Sequence, residues 1–411
     1  MGALNTRPRA GGRGQIIVLF ALLLPVLIGL VGLAVDGGRL LAERRHLQAV
    51  ADAAAWAAAA EVLYGSPENA EAAARWYADA NGLGAGSGAS VRVDQPPLSG
   101  PYAGQRDHVT VQVERSLTLT LMQIVHPAPF TVVAAATAGP TLGPAPYALF
   151  ALNRQRGGID LRGAVTVRVR DASVLSNYAI TARGGASLVA DEVVAANRSI
   201  AGAVQGLRGT VSNVGPLPDP FAALPPPPPP ATKRDGLQVN GVDQVVTVQP
   251  GRWRGDLIVH GTNNQVVMAP GLYYFDQGAD IEITGPSNRL IGDGVCIYLA
   301  PGSQLQVAGG ADLLLRATAD APYPGAPAGL LIFAGRDNPG MLTVTGGAST
   351  SLQGTIYAPA AEVHIGGGNP SRVVYGQVFA GEIVFAGGGS LVVQYDPDVV
   401  AVHPRPALVA H

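Results

Sequence analysis

Asp276, Asp280, Glu282 and Asp293 fall in one short stretch of the chain, with Arg289 among them. Two carboxyl groups on one face are what cleavage of a sugar bond requires, one as acid and the other as base or nucleophile. The local contexts argue for a different use. These residues stand beside Gly or Asn, where an aspartate ordinarily caps a turn and keeps it solvated. No Gly-rich phosphate loop, Ser/His/Asp arrangement or Cys/His cluster accompanies them. The expectation is therefore a protein with no catalytic, cofactor-binding or metal-binding residue, and a carbohydrate-active β-helix enzyme is the alternative.

Three other residues invite a chemical reading. Cys296 is the single cysteine, set in the apolar run Gly294–Leu299, so no intramolecular disulfide exists and a buried, inert thiol is expected. His108 and His126 have no carboxylate or second histidine at ligand spacing. A solvent-facing strand residue and a turn residue are the expected roles.

The elements that carry these residues change character along the chain. From Tyr147 onward, short apolar pieces are separated by Gly, Asn, Asp or Pro, the cadence of an all-β fold. Pro250-Gly251 and Pro270-Gly271 each open a segment of about twenty residues holding three strand-like pieces, which predicts one coil of a parallel β-helix per repeat. Leu257, Val259, Val266, Tyr273, Ile281, Ile283, Leu290, Ile297, Leu299, Leu313, Ile332, Ile356 and Val378 are the predicted inward residues. A β-sandwich or jelly roll is the rival architecture, and it requires hairpins. Six prolines, Pro225–Pro230, predict a polyproline stretch within the Pro-rich segment 216–231, either a loop thrown out from the coils or a linker dividing them.

Composition agrees with a mainly β protein. Charged residues are only 14% of the 411, while Gly numbers 54 and Pro 33, a balance suited to many strands and turns. A formal net charge of -2 lacks the basic footprint of nucleic-acid binding. Ile16–Val35 is twenty residues without a charge, enough for one helix to cross a bilayer. It exceeds an ordinary signal-peptide core and no A-x-A site closes it, so an uncleaved anchor is expected. Arg7, Arg9 and Arg13 before the span nearly balance Arg39, Arg44 and Arg45 after it, and charge leaves its orientation open. High helix propensity continues to Tyr64, with Leu40, Leu47, Val50, Ala54, Ala57 and Val62 on one stripe. A second helix is predicted from Ser66-Pro67-Glu68 to Asn81-Gly82, followed by strands at Val91–Val93, His108–Glu114 and Phe130–Val133.

The block Arg13-Gly14-Gln15, then Leu33-Ala-Val-Asp36-x-Gly38-Arg39, Arg44-Arg45-x-Leu47-Gln48 and Ala51-Asp52-Ala53-Ala54-Ala55, resembles the N-terminal segment of TadE/TadG-like pilus-assembly proteins over about residues 13–60. Pilin-like members carry a Glu early in the apolar run, where this chain has Ile16, Ile17, Val18 and Leu19. A looser resemblance, over about residues 145–395, is to the regions that accompany some such anchors. It rests on Pro270-Gly-Leu-Tyr-Tyr-Phe275, Gly329-Leu-Leu-Ile-Phe333, Gly354-Thr-Ile-Tyr-Ala-Pro359 and Gly376-Gln-Val-Phe-Ala380.

The resemblance implies a single-pass bacterial inner-membrane protein of a Flp (tight-adherence) system, with its C-terminal bulk outside the cytoplasm. The expected organisation is a cytoplasmic tail (1–15), a transmembrane helix (16–35) and a TadE/TadG-like helical and small α+β unit (36–140). A right-handed parallel β-helix (145–396), interrupted at 216–231, and a tail (397–411) complete it. Expected partners are the lipid bilayer, other pilus-assembly or envelope proteins and a surface polysaccharide; no cofactor and no nucleic acid are expected. The expected function is structural or adhesive, and a membrane-tethered polymerising scaffold is a further alternative.

Overall fold

The computed structural model describes residues 13–64, 67–84, 86–124, 127–144, 147–196, 199–212, 216–345, 347, 349–367 and 372–409. Two compact units result, one of them Leu142–His403 and the other formed by the residues before it together with those from Pro404 onward.

In the first unit a single helix, α1 (Arg13–Tyr64), runs for 52 residues, about 78 Å at ~1.5 Å per residue. Pro25 lies inside it without ending it. Side chains from Leu19 to Val35 are mostly exposed, and this helix is long and apolar enough to cross a membrane. Beyond that stretch one face is buried, with Leu47, Val50, Ala51, Ala54, Ala55 and Ala58 fully enclosed. The small alanines admit the second helix, α2 (Ala70–Ala78), whose Ala70, Ala74 and Ala78 enter the same core. Strands β1 (Ala89–Asp94), β2 (Val109–Leu117) and β3 (Phe130–Pro144) pair antiparallel and supply Val109, Val111, Val113 and Ala134 to it. Residues 397–411, expected as a tail, include the strand Val402–Val409, which is an edge of this four-stranded sheet.

His108 differs from its expected solvent-facing role. It is 6% exposed, stacks on Tyr102 at 4.4 Å between ring centres and places Nδ1 2.8 Å from Asp107. The cause lies across the sheet: Gly139 has no Cβ, and the imidazole fills that space. His126 lies outside the described residues.

The second unit is one large sheet of short strands, and every register described in it is parallel. Parallel partners are incompatible with the hairpins of the sandwich alternative. One inward row reads Leu237, Leu257, Ile281, Leu305, Leu342, Val363 and Ile383, each registered with the next. Its steps are 20 to 24 residues, apart from 37 between Leu305 and Leu342, where the segment carrying Tyr323 is inserted. The row then continues through an earlier part of the chain, since Ile383 pairs with Ile159, Ile159 with Ile180 and Ile180 with Ile200. The coils from 147 to 212 therefore stack on the last coil of the chain, not before Lys233. All thirteen residues named above as inward lie in the one core running through these rows.

Corners repeat as well. Asp243, Asn263 and Ser287 take positive φ, and the residue after each of the last two, Asn264 and Asn288, points its amide along the stack. Asn264 Oδ1 accepts the Gln244 N–H at 2.9 Å, and Asn288 Oδ1 accepts the Asn264 N–H at 2.8 Å. Fully buried corner amides would be costly unless bonded, and both asparagines also donate to carbonyls of their own and the neighbouring coil.

An outward row is aromatic: Tyr274, Tyr298, Phe333, Tyr357, Phe379 and Phe150 follow one another in register through six coils. Exposed, it would be a large apolar stripe. The Pro-rich segment covers it. Asn177 exchanges hydrogen bonds with Leu217, Phe221 packs on Tyr357 and Phe379, Arg336 donates to the Leu224 and Phe221 carbonyls, and Tyr323 donates to the Pro225 carbonyl. The segment thus returns from the coil of Asn177 to that of Lys233, strapped along the stack. Leu224, Pro227 and Pro230 turn inward every third residue. A polyproline turn of three residues rises ~9.3 Å, close to two strand spacings of ~4.8 Å, so each turn seats on alternate coils.

Candidate functional site

The carboxylates considered for sugar cleavage lie within about one coil of the stack, and three of them take structural partners. Asp276 accepts both of its bonds from Arg252 Nε, at 2.8 and 2.9 Å. Glu282 lies 3.1 Å from His260 Nε2. Asp280 accepts the Gln304 N–H at 2.8 Å, and burial, with Asp256 and Glu282 nearby, pushes its carboxyl above the ordinary value. Asp293 is exposed within the strand Arg289–Leu299, at the register shift between Gly292 and Val295. Arg289 registers with Asp312 of the next coil. Cys296 is fully buried in the same apolar cluster as Tyr298, Phe333 and the inserted Tyr323, and desolvation raises its thiol to about 12.

Another polar constellation lies where α1 leaves its apolar run. Asp36 is 1% exposed. Its Oδ1 accepts the N–H of Thr120 at 3.0 Å, and its Oδ2 accepts those of Leu121 at 2.8 Å and Met122 at 2.7 Å. These three donors open the short helical turn Met122–Ile124, where backbone N–H groups have no partner of their own. The bond from Met122 above all, with those from Thr120 and Leu121 and the charge of Arg39, holds the carboxyl below its usual range against the opposing effect of burial.

The rest of the arrangement follows from helical spacing. Gly32, Asp36, Arg39 and Glu43 are three or four residues apart and share one face. Arg39 donates to Thr120 Oγ1. Arg115 donates to Glu43 at 3.1 Å, and Gln48 donates to the Ala135 carbonyl at 3.1 Å, fixing β2 and β3 against the following turns. A Cβ on residue 32 would stand 3.1 Å from Leu121 Cβ, so glycine makes the notch that receives that leucine.

Residues 14–61 match the TadE/G-like Flp pilus-assembly domain. The TadE/G-like segment covers nearly the whole of α1, and its Gly32, Asp36 and Arg39 hold a loop that lies beyond it in sequence. Asp36 and Arg39 belong to the block on which the resemblance rests; their partners at 120–122 are some eighty residues away and carry no pattern of their own. The visible signal was a carboxylate directly after an apolar run, where an unpartnered charge is expensive. Residues 243–402 match a domain of unknown function, DUF7305, which takes in the coils after the Pro-rich strap and ends beyond Ala401. There the backbone N–H of Ala401 donates to Thr355 Oγ1 at 2.7 Å and its carbonyl accepts from Gln377. No curated protein and no solved structure matches the chain.

Proposed function

We propose that this protein is a single-pass, inner-membrane component of a Flp/Tad-type pilus-assembly system that carries a right-handed parallel β-helix outside the cytoplasm as a non-enzymatic scaffold. The observation that carries this reading is α1 itself: one uninterrupted helix passes from a twenty-residue apolar run into the core of a folded unit, within a segment matching the TadE/G-like domain. Right-handedness is supported by the strong preference of parallel crossover connections for that hand. A structural role is supported by where the ionisable groups go: Asp276 and Glu282 are taken up by Arg252 and His260, while the inward rows are continuous apolar ladders. Other envelope or pilus proteins are the partners this reading requires.

Membrane extraction tests it. The full chain should resist alkaline carbonate washing and be released only by detergent, a variant lacking residues 16–35 should be soluble, and cells lacking the protein should show fewer surface pili. Release of the intact chain by carbonate, or unchanged piliation without it, would overturn the reading.

A further inference from the structure

The geometry points to a second membrane contact: the loop of residues 118–123 sits in the headgroup layer of the bilayer beside α1, with Leu121 at the edge of the hydrocarbon. The inference rests on the anchor reading above and adds to it a loop that no family match covers. Leu121 packs in the Gly32 notch, three residues inside the end of the apolar run at Val35, or ~4.5 Å along the helix. A run of twenty residues just spans the ~30 Å hydrocarbon layer, and the headgroups add roughly 5–7 Å on each side. Position 32 therefore lies below the hydrocarbon boundary and Asp36 and Arg39 lie within the headgroups. The loop fixed to those three residues is held at the same depth.

Its chemistry suits that place. Leu117, Leu119, Leu121 and Met122 are apolar, and exposed Thr118, Thr120 and Gln123 face outward. An irregular backbone near lipid needs every N–H satisfied. Asp36 satisfies three in succession, and those same bonds, with Arg39 beside it, compensate a carboxylate that would otherwise be costly at a membrane boundary. The exposed flank of α1, with Leu30, Val31 and Leu33 more than half exposed, continues directly into the loop and identifies lipid as the occupant.

The test uses the full chain in phospholipid vesicles, with a fluorophore sensitive to its surroundings attached at Leu24→Cys, Gln123→Cys or Gln105→Cys. Gln105 lies beyond the opposite end of β2 from the loop. With lipids bearing a nitroxide just below the headgroup the probe at 123 should lose emission and that at 105 should not, and with lipids bearing it near the end of the acyl chain the probe at 24, close to mid-span, should lose emission. Asp36→Asn should restore emission at 123 and leave 24 unchanged. Quenching at 24 without quenching at 123, or equal quenching at 123 and 105, overturns the loop contact and leaves the anchor intact. No quenching at 24 overturns the anchor itself.

Discussion

Tyr357 donates its hydroxyl hydrogen to Asp219 Oδ2 at 2.7 Å, joining the outward aromatic row to the strap that returns along it from 138 residues earlier. The strap is what lets the first coils of the chain stack on the last, because residues 216–232 run back along the stack to reach the coil of Lys233.

Asp219→Ala should loosen that closure. The lost bond is worth ~1–2 kcal/mol in a buried setting. A lower urea midpoint and faster cleavage of the native protein within 216–231 are expected. An unchanged midpoint with cleavage elsewhere would mean the strap does not contribute to stability.

Stability should fall on the alkaline side. Burial raises Tyr273, Tyr323 and Tyr357 above the ordinary 10.0 and Cys296 from 9.0 to about 12, so folding favours their neutral forms. That contribution is complete below the unfolded values and is lost as pH climbs from them toward the raised ones, so the urea midpoint should be lower near pH ~11 than near pH ~8. Cys296 should resist alkylation in the native protein at neutral pH and react once denatured. Rapid native labelling would contradict its burial in the cluster with Tyr323.

The core and the surface carboxylates should respond oppositely to substitution. Ile297→Asp or Ile332→Asp places an unpaired charge in the stacked interior and should abolish the cooperative unfolding transition. Asp276→Asn removes a solvent-screened pair with Arg252 and should leave circular dichroism and the urea midpoint nearly unchanged. Loss of a polysaccharide-cleaving activity in Asp276→Asn with the fold intact would instead establish an enzyme.

Much of this architecture is legible in the sequence because its physics is local. Alternation at Leu257–Val259 and Ile281–Ile283 marks inward faces, the Pro-Gly pairs mark coil corners, and an uncharged twenty-residue run marks the span. What escapes reading is long-range. Ile383 pairs with Ile159, but any coil offers the same apolar row, and nothing local states which coil follows which. His108 is buried by the missing Cβ of Gly139, and the role of Asp36 depends on three backbone N–H groups that have no side-chain signature.

Protease accessibility in whole cells, with fragments mapped by mass spectrometry, tests the central claim most directly. An anchored, exported unit predicts that protease added to intact spheroplasts removes the region after Tyr64 while peptides spanning Ile16–Val35 stay in the membrane, still continuous with residues before the span. Protection of Leu142–His403 in intact spheroplasts, with digestion only after permeabilisation, would place that unit in the cytoplasm and contradict the account.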